Sequence, residues 1–120
     1  MTTLNENQLL EQLSYFNGTS QYYYNSLFKA INYTDGIKYV TAECDAYWLL
    51  TDVLSTLLHK LRKEEFVTIT LKVKDGKGNL IFDDGNDNIL HKINYNYTDF
   101  PLKEIIFFFE NNVLYLPSER

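Results

Sequence analysis

The chain changes its hydrophobic period once, and that change sets the expected order of elements. Leu9, Leu10, Leu13 and Phe16 recur at three- and four-residue spacing, the stripe of a short amphipathic helix. Thr3 and Glu6 form a capping-box pair before it, and Asn17-Gly18 offers a left-handed stop after it. Residues 19–33 hold to neither period and read as loop with a short extended or helical piece. Thr34-Asp35-Gly36 reads as a turn or N-cap. A short helix from about Ile37 to Glu43 follows, although its β-branched content leaves strand open. Asp45 is the expected N-cap of the main helix, roughly Ala46 to Arg62. There Tyr47, Leu50, Val53, Leu54, Leu57, Leu58 and Leu61 make a face broad enough to pack on a sheet, and Trp48 and Leu49 extend it.

After Lys63 the period becomes two. Val67, Ile69, Leu71 and Val73 alternate with Thr68, Thr70 and Lys72, a half-buried antiparallel strand. Asp75-Gly76-Lys77-Gly78 makes a hairpin turn into Leu80-Ile81-Phe82, and Asp84-Gly85-Asn86 turns again into 89–97. On that last strand Ile89, His91, Ile93, Tyr95 and Tyr97 share a face until Pro101 ends it. Ile105 to Phe109 reads as strand rather than helix, since Asn111-Asn112 turns it into Val113 to Leu116. The expected fold is α+β: one domain over residues 1–120, with N-terminal helices packed on a C-terminal antiparallel meander of about five strands.

Charge and cysteine usage narrow the function classes. The formal net charge is −5, which argues against broad contact with a phosphate backbone. The one basic cluster, Lys60, Arg62 and Lys63, sits where cations complement a helix C-terminus. A lone cysteine permits no intramolecular disulfide, and the start carries neither the basic nor the apolar region of a signal peptide. The expected location is the cytoplasm, with no membrane contact. Aromatic residues make up 16% of the chain, with ten Tyr, and Tyr suits half-buried sheets and recognition surfaces.

Several segments taken together resemble a family of small bacterial proteins of about this length, known as a domain of unknown function. They are Asn17-Gly18-Thr19 with Tyr22-Tyr23, Tyr33-Thr34-Asp35-Gly36 with Lys38-Tyr39, and Ala46-Tyr47-Trp48-Leu49-Leu50. Asp84-Gly85-Asn86, Tyr97-Thr98-Asp99-Phe100-Pro101-Leu102, and Val113-Leu114 with Leu116-Pro117-Ser118-Glu119 continue the likeness. The resemblance supports helix over 37–61. It implies no activity, cofactor or catalytic residue, and suggests a setting on plasmids or phages.

No catalytic set emerges from the residues themselves. A nucleophilic triad needs an imidazole base, and only His59 and His91 could serve. His59 is placed to sit at a helix C-terminus and His91 among strand residues. Cys44 lies between Glu43 and Asp45, which raise a thiol pKa rather than lower it. Four zinc ligands at short spacing are lacking, and 83–88 misses the calcium-loop Gly and Glu, so no metal or other cofactor is expected. The residues that stand out are Tyr33, Asp35, Lys38, Tyr39, Tyr47, Trp48 and Asp99, polar and aromatic groups at element junctions. The leading expectation is a non-enzymatic protein that binds another protein through an aromatic and acidic surface, with inhibition of a bacterial defence nuclease as its sharper form. One alternative is a small enzyme or ligand-binding domain using Asp35, Lys38, Tyr39 and Asp99. Another is a homodimer subunit pairing through the hairpin 104–116.

Overall fold

The computed structural model describes residues 4–120. Helix α1 (Glu6–Ser14) is capped by Asn5, whose side chain accepts from the Gln8 N–H at 2.8 Å. The Gln8 side chain accepts in return from the Asn5 N–H at 3.1 Å. The expected box of Thr3 and Glu6 is thus replaced by Asn5 and Gln8, with Thr3 outside the described residues. The helix stops short of Asn17-Gly18, and of its stripe only Leu9 is fully buried.

Thr34 caps α2 (Asp35–Glu43), its side chain accepting from the Ile37 N–H. Helix forms here despite the β-branched residues, started by the Thr34 cap, and the Thr41 hydroxyl donates back to the Ile37 carbonyl at 2.8 Å. Asp45 is not the cap of α3 (Tyr47–Lys60); that place falls to Ala46. Asp45 instead takes φ 50° and turns the chain between the two helices, a conformation Asp tolerates better than most residues. The buried face of α3 runs through Leu49, Leu50, Val53, Leu54 and Leu57, leaving Tyr47 61% exposed.

The sheet has six strands: β1 (Asn32–Tyr33), β2 (Phe66–Lys74), β3 (Lys77–Asp83), β4 (Ile89–Tyr95), β5 (Glu104–Glu110) and β6 (Val113–Tyr115). Both close hairpins form as expected, with positive φ at Asp75-Gly76 and at Asn111-Asn112, as tight mirror-image turns require. The order is β1-β6-β5-β2-β3-β4, which corrects the expected simple meander of about five strands in two ways. Two-residue β1 adds a parallel edge on β6, so the sheet is mixed. After β4 the chain crosses the end of the sheet, where the Thr98 N–H donates to the Gly76 carbonyl and the Val73 N–H to that of Lys103. It then inserts β5 on the far side of β2, where Ile69 lies opposite Phe82 on one neighbour and Phe107 on the other.

One core results. Val67, Ile69, Leu71, Leu80, Phe82, Phe107 and Phe109 meet Ile37, Val40, Leu49, Leu50, Leu54 and Leu57, all essentially buried. On the other face Thr68, Thr70, Ile106 and Phe108 are half-buried, and the Arg120 guanidinium lies 5.2 Å from the Phe66 ring centre. No helix of the described residues is long and apolar enough to cross a membrane.

Candidate functional site

Of the seven residues singled out in the sequence, Tyr33, Asp35 and Lys38 gather in one place, Trp48 and Asp99 in another, and Tyr39 and Tyr47 belong to neither group. The first is the N-terminus of α2. The Asp35 carboxylate accepts from the Ser20 N–H at 2.7 Å and from the Tyr23 hydroxyl at 2.8 Å. Those donors hold its pKa below the usual carboxylate value, the Ser20 N–H first, and Asp35 in turn raises the Tyr23 hydroxyl. The Asp35 N–H donates to the Thr19 hydroxyl, and the Lys38 ammonium lies 4.2 Å from the Tyr23 ring centre. The Tyr33 ring stacks on Tyr23 at 5.8 Å.

A second carboxylate, Glu119, closes the same helix end. It accepts from the Thr34 hydroxyl at 2.6 Å, the Leu116 N–H at 2.8 Å and the Gly36 N–H at 3.1 Å. Gly36 is required for that approach, since a Cβ there would stand 2.6 Å from a Glu119 oxygen and 2.6 Å from the Leu116 side chain. An anion at the positive end of a helix dipole needs no further partner. Three of the segments that carried the resemblance, 17–19, 33–36 and 116–119, therefore meet here.

Tyr39 stands apart from that junction, whereas Tyr47 comes near enough to Tyr33 to act on its hydroxyl. The Tyr39 ring packs on Phe16 at 5.2 Å, and burial followed by the nearby Glu43 raises its hydroxyl pKa. Tyr47 is exposed, and of the two tyrosines Tyr33 is the more buried, its pKa raised by burial and then by Tyr47.

Trp48 and Asp99 come together at the opposite edge of the sheet. They line a cleft of about 340 Å³ with Asp52, Tyr95, Tyr97 and Thr98. Trp48 and Asp52 lie one turn apart on α3 and so share a face. The Trp48 and Tyr95 rings meet nearly edge-on, 5.1 Å apart at 73°. The Tyr95 hydroxyl donates to the Asp52 carboxylate at 2.5 Å; burial and then that carboxylate push the Tyr95 pKa far above the ordinary tyrosine value. Opposite Tyr95 on β3 stands Gly78, where a Cβ would meet Thr98, Leu71 and Tyr95 atoms at 3.3–3.4 Å, so the glycine leaves the ring its place. Tyr97 is 75% exposed at the mouth, and Asp99, also exposed, makes no hydrogen bond among the described residues.

Asp35 follows β1 and Asp99 follows β4, the two outermost strands. Five inter-strand steps of about 4.8 Å separate those edges, roughly 24 Å. The set Asp35, Lys38, Tyr39 and Asp99 is therefore not assembled into one pocket. The sequence reading passed over Asp52, Tyr95 and Tyr97 as site residues. Their signals were the i, i+4 pair Trp48/Asp52 and the alternation of Tyr95, Tyr97 and Asp99.

The remaining chemical candidates have structural employment. Cys44 is buried, and burial followed by Glu43 pushes its thiol up to about 12. His59 sits in the last turn of α3 against Phe28, and His91 against Phe82. In the 83–88 turn, Asp84 is occupied by the Asn86 and Asn88 N–H groups and the Asn88 side chain. Among the described residues no three His, Cys, Asp or Glu side chains are grouped to hold a metal ion. An apolar cleft of about 320 Å³ lies under α1, lined by Leu10, Leu13 and Ile106 among others. Few polar groups converge there to orient a ligand.

No curated protein and no solved structure matches the chain. Residues 7–120 match the family described as a family of unknown function (DUF6876), and the chain belongs to that family.

Proposed function

We propose that the protein is a non-enzymatic binding module of the bacterial cytoplasm that takes a basic side chain of a protein partner into the cleft of Trp48, Asp52, Tyr95, Tyr97 and Asp99. The observation that carries this reading is the pairing of aromatic walls with two carboxylates. Asp52 lies at the base, bonded to Tyr95, and Asp99 lies at the mouth with no hydrogen-bond partner among the described residues. Aromatic faces attract cations and carboxylates complete their coordination, so the site suits Lys or Arg far better than an anion or a neutral apolar group. The volume, about 340 Å³, accommodates such a side chain.

The partner class we favour is a nuclease whose nucleic-acid channel is lined with Lys and Arg, as in bacterial defence against mobile elements. The net charge of −5 supports that choice through steering. Trp48 is the sole tryptophan, so its fluorescence reports on the cleft alone. Titration with N-acetyl-arginine methylamide should shift that emission saturably and more weakly at high salt, whereas the glutamate analogue should not. Equal responses to both, or none to arginine, would exclude the reading.

A further inference from the structure

We infer that the free edge of β4 and the cleft at its end form one continuous surface that receives an extended segment of a protein partner as a seventh strand. The inference rests on the cation-binding reading of the cleft and adds the backbone conformation of the partner and the spacing of its side chains.

The two sheet edges are finished differently. At the β1 edge the chain covers itself: the Tyr23 N–H donates to the Tyr33 carbonyl at 2.8 Å and the Tyr33 N–H to the Tyr23 carbonyl at 2.9 Å. At the β4 edge nothing among the described residues pairs with the outward N–H and C=O groups of Ile89–Tyr95. Those seven residues contain no proline and one lysine, Lys92, and Ile89 is 62% exposed. The edge is thus long and lightly guarded, the form that accepts another strand.

The cleft continues this edge, because Tyr95 is both the last residue of β4 and a wall of the cleft. Tyr95 lies across from Gly78, Ile93 from Leu80 and His91 from Phe82, so Tyr95, Ile93 and His91 share the helix-side face. A segment added to β4 sends alternate side chains to that face about 6.8 Å apart. A Lys or Arg opposite Tyr95 then enters the cleft, and the side chain two residues away rests on Ile93. The fitting partner carries a basic residue and an apolar residue at positions i and i+2 or i−2. Charge agrees with a cationic strand. Asp52 and Asp99 stand at one end of the edge and Asp83, Asp84 and Asp87 flank the other, against Lys92 between them and Lys77 beside Gly78 on β3.

The test uses the full chain and a capped heptapeptide with a central arginine, valines two residues to either side and threonines between. Two further versions are N-methylated on alternate amides, in complementary sets. The parent should shift Trp48 emission and slow amide exchange along β4. One methylated version should bind at least tenfold more weakly and the other as well as the parent, since only one set of amides faces β4. If both methylated versions bind like the parent, strand addition is overturned while cation binding stands. If neither the peptide nor the single arginine amide moves Trp48, the underlying reading falls as well. Sedimentation is the second check: a monomer at micromolar concentration is expected. A dimer that the peptide cannot dissociate would give the edge to a second copy and overturn the inference.

Discussion

At the N-terminus of α2 two carboxylates arrive and both are fully engaged. Asp35 has the Ser20 N–H and the Tyr23 hydroxyl, and Glu119 has Thr34, Gly36 and Leu116. At the cleft beside β4 two carboxylates also arrive, but only Asp52 is engaged, by Tyr95, and Asp99 is left open beside exposed Tyr97. The residue types are the same, acid and tyrosine. What differs is the supply of donors: the loop before α2, the Thr34 cap, the Gly36 N–H of the first turn and the Leu116 N–H point at the acids, whereas the side of α3 and a strand end supply mostly ring faces. The first arrangement completes the fold. The second leaves an electron-rich surface that a cation can still satisfy.

The largest effect should come from opening the completed junction. Glu119→Ala strands the buried Thr34 hydroxyl and the Gly36 N–H, and should cost about 2–3 kcal/mol in urea denaturation. Gly36→Ala places a Cβ into the Glu119 carboxylate and should cost about 1–3 kcal/mol. Because both changes break the same contact, the double variant should lose less than the sum. Full additivity would show that Glu119 does not close this helix. Neither single change should alter arginine-amide binding.

A smaller effect is expected at Tyr95, and its pH dependence separates the two regions. Tyr95→Phe removes the hydrogen bond to Asp52 and should cost about 1–2 kcal/mol near neutral pH. The folded-state pKa of Tyr95 is raised, so this contribution is complete below the unfolded value near 10. As pH rises above that value the unfolded chain ionises first, and the wild type loses stability toward the higher folded-state pKa. The slope from this one group is at most about 1.4 kcal/mol per pH unit, less because the ring is only half-buried. The gap between wild type and Tyr95→Phe should therefore shrink above pH 10. A constant gap would mean that Tyr95 is not held as a protonated donor.

These two regions were unequally legible in the sequence, for identifiable reasons. Local signals served α3 and the first hairpin well, through a leucine face and Asp75-Gly76 between alternating strands, whereas at α2 they left Thr34 as turn or cap and strand as an alternative. The place of β5 was harder because strand order is a long-range property. Its apolar run at 105–109 did carry a hint, since a strand with apolar residues on both faces belongs in the sheet interior. Two-residue β1 has no periodicity to detect. The separation of Asp35 from Asp99 followed from strand order, and the meeting of Trp48 with Tyr95 from how α3 lies on the sheet. Glu119 was read only as part of the last matching segment, because its two partners at the start of α2 are 83 and 85 residues away.

The smallest stability effect should belong to Asp99, and that is why it is the most informative about the cleft. Its carboxylate has no hydrogen-bond partner among the described residues, so Asp99→Asn should change stability by no more than about 0.5 kcal/mol. If it waits for a cation, the same change should weaken arginine-amide binding about two- to fivefold, equivalent to roughly 0.5–1 kcal/mol at an exposed site. Raising the salt should erase much of the difference between wild type and variant, because the lost interaction is a screened charge pair. A residue that only supported the fold would show the reverse pattern, with stability falling and binding following it at every salt concentration. Unchanged affinity at low salt would place the cation against Asp52 and the rings alone, and Asp99 would then be an ordinary solvated acid.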